Sequence, residues 1–244
     1  MRNIVEYTGK YLLPGFEDYK VLYRRKKIIE ILEREKAENV LEIGCGMEPL
    51  FQFMKNIRFT VVEPSDVFYD NAKVLAENEE RVRCIHGFFE DTVSALSENY
   101  DMIICSGLLH EVEFPERILQ AIVRCSSENT VVHINVPNAN SIHRRLGKAM
   151  GMLSDVHDMS RANMVMQQHN VFDMGRLEKL LANNGLAVIE KGGYFVKPFS
   201  HAQMYEMIKK GILDDKVLDG LYRLGEELPE FGSEIFVNCR LQRK

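Results

Sequence analysis

Two stretches carry residues whose type and spacing suit one kind of chemistry. Val40-Leu41-Glu42-Ile43 runs directly into Gly44-Cys45-Gly46, and a second apolar run, Arg58 to Val62, ends at Glu63-Pro64-Ser65. A glycine turn after a first strand lets the backbone approach a ligand closely. An acid at the tip of the next strand can accept hydrogen bonds from both hydroxyls of a ribose. Gly44, Cys45, Gly46 and Glu63 therefore outline a crevice for a nucleoside-like cofactor. Glu42 is placed to orient the glycine loop or an amine on the ligand. Pro64 and Ser65 are expected along the edge of the base. Each residue also has a plainer role open to it, as a turn glycine or a solvated strand-end acid, and it is their combination that favours the crevice.

A second set of residues suits proton transfer and anion binding. His110 follows the apolar run Tyr100 to Cys105 and the pair Ser106-Gly107. A histidine titrates near neutral pH and can remove a proton from an acceptor hydroxyl. His169 is its rival for that role. His143, Arg144 and Arg145 follow Pro137-Asn138-Ala139-Asn140-Ser141, and arginines bind carboxylate or phosphate through a rigid fork. A solvated helix face is the alternative for the two arginines. Phe89 and Glu90 follow a third strand at 81–85, and the core is the usual place for an aromatic such as Phe89. His133 lies inside a strand and reads as a core histidine.

Composition limits what these residues can belong to. The chain has 244 residues, 45% apolar and 27% charged, enough for one large domain with its own core. Net charge is -5 and the pI about 5.9, so bulk charge gives no case for nucleic acid. The run Arg24-Arg25-Lys26-Lys27 is followed by Glu30, Glu33 and Glu35 and reads as the solvated face of a helix. The five cysteines are scattered with no Cys-x-x-Cys pair, which predicts reduced thiols and no metal site. No apolar run approaches the roughly 20 residues that span a bilayer. Met1 to Tyr7 shows no signal-peptide pattern. The expectation is a cytoplasmic protein with a small-molecule partner, no membrane and no nucleic acid; a homodimer is compatible with the sequence.

The elements that must position these residues alternate. Periodicity predicts a helix over 16–36, strands over 39–43 and 59–62, and a short helix over 48–55 whose free N-H groups face the ligand. Further helices fall at 66–77 and 114–125, and further strands at 81–85, 100–105 and 130–136. The alternation breaks at 138–172, a methionine-rich stretch with irregular helical spacing, which suits a cap over the site. A helix at 173–183, a strand at 186–196, helices at 201–209 and 215–224, and a strand at 233–241 complete the chain. This order predicts an α/β fold, a parallel sheet with helices on both faces. The expected division is an N-terminal helical segment (1–37), a cofactor-binding half (38–137), the cap (138–172) and a part completing the sheet (173–244).

Val40 to Gly46 closely resembles the first motif of class I S-adenosylmethionine-dependent methyltransferases. Glu63 stands where that family has its ribose-binding acid. Tyr100 to Cys105 resembles its fourth strand and Leu108-Leu109-His110-Glu111-Val112 the loop that follows. The resemblance covers residues 38–137 by motif and 172–240 by element order. It implies a Rossmann-like, seven-stranded sheet with an antiparallel last strand, S-adenosylmethionine as cofactor, Glu90 or else Phe89 at its adenine, with the core as the alternative for Phe89, and Ser106 and Gly107 beneath its methionyl part. Related enzymes often have Leu-Glu-His-Val where this chain has Leu-His-Glu-Val, so His110 stands where the family often has an acid. A dinucleotide is the competing cofactor, but Pro49 occupies the place of the third glycine, and Glu48 beside the loop would repel a pyrophosphate. A sulfonium cation suits an acidic crevice better.

The resemblance implies methyl transfer to a polar small molecule, at oxygen first. Residues 134–172 and 190–205 are similar to methyltransferases of surface-polysaccharide pathways, which implies a sugar or sugar-nucleotide acceptor. The alternatives are N-methylation of a small amine and a non-catalytic cofactor-binding subunit.

Overall fold

The computed structural model describes residues 4–12, 14–96 and 99–242. Seven strands form one sheet: β1 (Asn39–Ile43), β2 (Arg58–Glu63), β3 (Val82–His86), β4 (Met102–Ser106), β5 (Val131–Pro137), β6 (Leu186–Tyr194) and β7 (Glu234–Leu241). Their order is β3-β2-β1-β4-β5-β7-β6. The first five run parallel, and β7 inserts antiparallel between β5 and β6. Strand order reverses between β1 and β4, which opens a crevice at the carboxyl ends of those strands. The expected α/β architecture with its seven-stranded, Rossmann-like sheet is the one observed.

The helices are α1 (Ile4–Tyr11), α2 (Phe16–Glu35), α3 (Asp66–Leu75), α4 (Phe89–Thr92), α5 (Pro115–Cys125), α6 (Ile142–Ala149), α7 (Arg161–Val165), α8 (Met174–Asn183), α9 (His201–Lys209) and α10 (Asp215–Glu227). They cover both sheet faces because the central strands are apolar on both. In β1, Val40 joins a cluster with Ile31 and Leu32 of α2 and Tyr222 of α10. Leu41 and Ile43 join the opposite cluster, with Ile118 and Ile122 of α5 and Leu177 of α8. The two-residue alternation of a strand places Glu42 on the α2 face.

Three expectations need correction. Residues 48–55 hold one 3-10 turn, Leu50–Gln52, and no α-helix. Pro49 is extended there, with ψ 142°, and the buried Glu42 carboxyl takes the Leu50 N-H at 3.1 Å, so that N-H serves the fold and not a ligand. Residues 4–11 run as a helix through Gly9, and the Tyr11 ring packs on Phe68 at 5.7 Å between centroids. The basic run of α2 is not simply a solvated face: Lys27 is buried and bridges Glu30 and Glu226 at 2.8 and 2.7 Å, while Arg24 turns toward the sheet. Finally, β6 stops at Tyr194, since Phe195 adopts a left-handed φ of +57°.

Candidate functional site

The glycine loop and the tip of β2 are built as one unit. Gly44 and Gly46 have φ of +76° and +58°, a region that side-chain-bearing residues reach only with strain. The turn aims the N-H groups of Cys45 and Gly46 at Glu63, which accepts them at Oε2 over 2.9 and 3.4 Å. Its Oε1 accepts the Ser65 N-H at 2.9 Å. Burial raises the Glu63 carboxyl, and these three N-H groups pull it back. Oε2 is occupied by two N-H groups, whereas Oε1 takes one and can accept a further hydrogen bond from a ligand hydroxyl. Glu42 differs. Burial pushes it up to about 8, against the Leu50 N-H, so it stays largely protonated at neutral pH and braces the turn.

Among the described residues, no atom beyond the chain neighbours lies within 4 Å of where a Gly44 Cβ would stand, whereas the Tyr11 ring reaches 3.7 Å from that point at Gly46. Thr8 Oγ1 meets Ser65 Oγ at 2.9 Å. Helix α1 therefore crosses the crevice from the glycine loop to Pro64-Ser65. Phe89 is buried in the core cluster, the plainer of its two roles, and Glu90 beside it is half-buried. Ser106 and Gly107 end β4, and the Arg24 guanidinium comes 3.4 Å from where a Gly107 Cβ would stand.

Beyond Gly107 the edge changes character from backbone groups to charged side chains. Glu234, 1% exposed, pairs with Lys20 at 2.8 Å and with Arg24 through both of its oxygens. Tyr194 and Asn135 donate to it at 3.0 and 2.7 Å. Arg24 and Lys20 also reach Glu17, at 3.0 and 3.6 Å. Burial would raise the Glu234 carboxyl, but the Arg24 and Lys20 cations outweigh it and hold it well below the usual range. None of Tyr11, Lys20, Arg24, Tyr194, Lys197 or Glu234 was singled out by local pattern. Their partners stand up to 210 positions apart, so no spacing in the sequence could have revealed them.

His110 is buried beside this network. Burial first and the Arg24 cation second push its ring down to about 3, so it is neutral at physiological pH. Its Nδ1 has no partner among the described residues, and Nε2 lies 3.7 Å from Glu111. Its carbonyl accepts the N-H groups of His169 and Asn170 at 2.9 and 3.0 Å. The structure thus joins His110 and His169 through the main chain, while the His169 side chain is exposed.

The cap is held by its own side chains. Arg144 donates to the carbonyls of Val156 and Asp158 at 2.8 and 2.6 Å and to Asn163 at 3.3 Å. Arg145 is exposed, donates to Asn140 at 3.2 Å and stacks over Phe231. Both guanidinium groups are thereby engaged within the chain, and of the trio read as acceptor-binding only His143 keeps a free ring atom: its Nδ1 is buried without a partner among the described residues. His157 is clamped between Asp155 and Asp173 at 2.8 Å each. His133 is fully buried and meets Asn238 at 2.8 Å.

Two shallow cavities of about 260 and 280 Å³ lie among Glu35, Asp101 and Arg240 and among Arg58, Glu80 and Arg83. They open at the amino ends of the parallel strands, the edge opposite the glycine loop, and contain none of the groups above. The chemistry-bearing edge is the better candidate because there buried carboxylates, histidines and unpartnered polar atoms converge.

A family model described as a methyltransferase domain matches residues 17–191. The chain belongs to that family. With the glycine loop and the seven-stranded order, it is a class I S-adenosylmethionine-dependent methyltransferase. None of the curated proteins matches it in sequence. Among solved structures, it is similar to the plantazolicin methyltransferase BamL in complex with a triazolic desmethylPZN analog and SAH, with 17% identity over 93% of this chain and 88% of that one, at a TM-score of 0.61. It is similar to the mitomycin 7-O-methyltransferase MmcR, with 14% identity over 85% and 50% at 0.55. It is also similar to the N,N-8-amino-8-demethyl-D-riboflavin dimethyltransferase RosA from Streptomyces davawensis, with 15% identity over 91% and 54% at 0.56. At such identities the likeness is one of fold. No helix among the described residues is long and apolar enough to cross a membrane, and none of their His, Cys, Asp and Glu side chains cluster as a metal site would.

Proposed function

We propose that this methyltransferase transfers the methyl group of S-adenosylmethionine to an oxygen of a polar small molecule, a sugar or sugar-nucleotide type of metabolite. The observation that carries the reading is the continuity of one strand edge. The glycine loop and Glu63 lie at one end and the buried polar recess around Glu234 at the other, with Gly107 between them. Gly44, Cys45, Gly46, Glu63, Pro64, Ser65 and Glu90 would hold the adenosyl part, and Ser106 and Gly107 the methionyl part. The cofactor supplies an electrophilic methyl on a sulfonium. The chain's task is to align the acceptor in line with it and exclude water.

His110 is assigned the proton of the acceptor hydroxyl. Its neutral ring can accept that hydrogen bond, and His169, tied to its carbonyl, takes the alternative position at the rim. Residues 138–172 act as the cap that shapes the acceptor side, with His143 facing inward. A second reading, transfer to a small amine, is favoured by the same ring. A histidine held near pKa 3 is a weak base, and a neutral amine needs no base to attack a methyl sulfonium.

Labelled S-adenosylmethionine with panels of hydroxyl and amine acceptors tests both. Turnover of hydroxyl acceptors that falls at least about a hundredfold in H110A, within the usual range for removing a general base, supports the first. Full turnover by both H110A and H169A removes the histidines from the chemistry. Tight cofactor binding with no turnover of any acceptor would point to a non-catalytic subunit.

A further inference from the structure

Lys197 has no counter-charge of its own. It stands just past the end of β6 and is 2% exposed. Among the described residues its ammonium makes no hydrogen bond and no ion pair; the Phe16 ring lies 6.0 Å away. The neighbouring cations are already served. Lys20 and Arg24 share Glu234 and Glu17, two carboxylates for two cations. Arg144 spends its N-H groups on carbonyl and amide oxygens. Burial first and the Lys20 cation second push the Lys197 ammonium well below the usual lysine range, so its charge in this covered recess is unfavourable unless an anion balances it.

The backbone at this point is strained as well. Phe195 has φ +57°, rare for a bulky residue and concentrated at functional sites. The turn is fixed on both sides, by the Val196 N-H on the Leu221 carbonyl at 2.8 Å and the Ser233 N-H on the Phe195 carbonyl at 2.8 Å. The Asn138 N-H in turn bonds the Ser233 carbonyl at 3.0 Å, so the ends of β5 and β6 and the start of β7 are tied together. At the start of α6, four and six residues past β5, the hydroxyl of Ser141 and Nδ1 of His143 are buried and unpartnered among the described residues. Each can donate a hydrogen bond. The Lys197 cation also lowers the proton affinity of His143, after burial itself, which places the two side chains in one field. What this group of donors lacks is an acceptor bearing negative charge.

We propose that Lys197, His143 and Ser141 receive an oxyanion, the carboxylate or phosphate carried by the methyl acceptor. The identification of that oxyanion with the acceptor rests on the methyltransferase reading above; the anion site itself does not. The acceptor is then an anionic metabolite, bound by its charge at the β5–β6–β7 end and methylated toward the glycine loop. Substrates without the anion would lose this anchor.

The test uses the whole chain saturated with S-adenosylhomocysteine, with inorganic phosphate or acetate as the probe and chloride at equal ionic strength as the control. Phosphate or acetate should raise the melting temperature of the wild type beyond chloride, as any ligand of the native state does. K197M should melt higher than the wild type without anion, because it removes an unpaired buried charge. It should bind the anion at least about tenfold more weakly, the loss of one charge-assisted hydrogen bond. H143Q should weaken the anion in the same direction by less, and S-adenosylhomocysteine affinity should stay within about twofold in both variants, since each stands outside the glycine-loop site. Failure of the wild type to bind S-adenosylhomocysteine would count against the cofactor reading alone. A wild type that responds to phosphate and acetate no more than to chloride, a K197M that responds as the wild type does, or a K197M that loses stability would each overturn the anion site.

Discussion

The two ends of the crevice are built from different materials. At the cofactor end, carboxylates meet backbone: Glu63 takes three main-chain N-H groups and Glu42 takes one. Partners there lie close in the chain, Glu42 with Leu50 and Glu63 with Ser65. At the acceptor end, side chain meets side chain, and Glu234 gathers Lys20, Arg24, Asn135 and Tyr194 from α2, β5 and β6. Backbone donors cannot be changed by substitution, which suits a site that binds one invariant cofactor. A network of charged side chains can be rewritten residue by residue, which suits a site whose ligand varies between relatives.

The contrast predicts where substitutions hurt most. The largest effect is expected at Glu234. E234Q leaves two buried cations short of a counter-charge, and removing one partner of such a network costs about 3–5 kcal/mol, measurable by denaturant unfolding. The pH dependence has a definite sign. Because the folded Glu234 carboxyl lies well below its ordinary value, its contribution is present above the unfolded pKa of about 4.3. It is lost as pH falls through the folded value. Wild-type stability should therefore drop steeply below about pH 4, and E234Q should lack that part of the slope.

A smaller and local effect is expected at His157. H157A breaks the Asp155-His157-Asp173 clamp, which is partly solvated, so global stability should fall by about 1 kcal/mol or less. Hydrogen exchange should quicken over residues 142–172 and stay unchanged in β1 to β5. Equal protection in the variant would mean that Arg144 alone holds the cap.

The smallest effect is expected at Glu42. Its folded pKa of about 8 is raised, so its contribution is full below about 4.3 and lost as pH rises through about 8. Wild-type stability should decline across that window and E42Q should not, so E42Q should match the wild type near pH 4, cost nothing at pH 7 and gain on the wild type as pH rises. A large loss in E42Q at neutral pH would show the acid to be ionised and more than a brace.

The cofactor end was legible because its meaning is local. Glycines that need positive φ, and an acid at the next strand tip, leave a pattern that survives in one sequence. The sheet was legible for the same reason, through apolar runs alternating with helical spacing. The helix expected over 48–55 is replaced by one 3-10 turn, whose Leu50 N-H is taken by Glu42, a partner eight residues back that helical periodicity does not show. Helix α1 and the roles of Arg24 and Lys197 were illegible for another reason. Arg24 finds Glu234 only after the chain has folded, and Lys197 is made conspicuous by what does not stand next to it. The Met-rich spacing of 138–172 marks a break in the strand-helix alternation, but its fastening by Arg144 and His157 depends on loop geometry with no periodicity.

The central claim is that Glu63 and the glycine loop hold S-adenosylmethionine, and calorimetric titration of S-adenosylhomocysteine into the wild type and E63A tests it most directly. The account predicts one site per chain in the wild type. It predicts at least about a tenfold loss of affinity in E63A, from the hydroxyls that lose a charged acceptor. Equal affinity in the two proteins, with E63A folded, would contradict it.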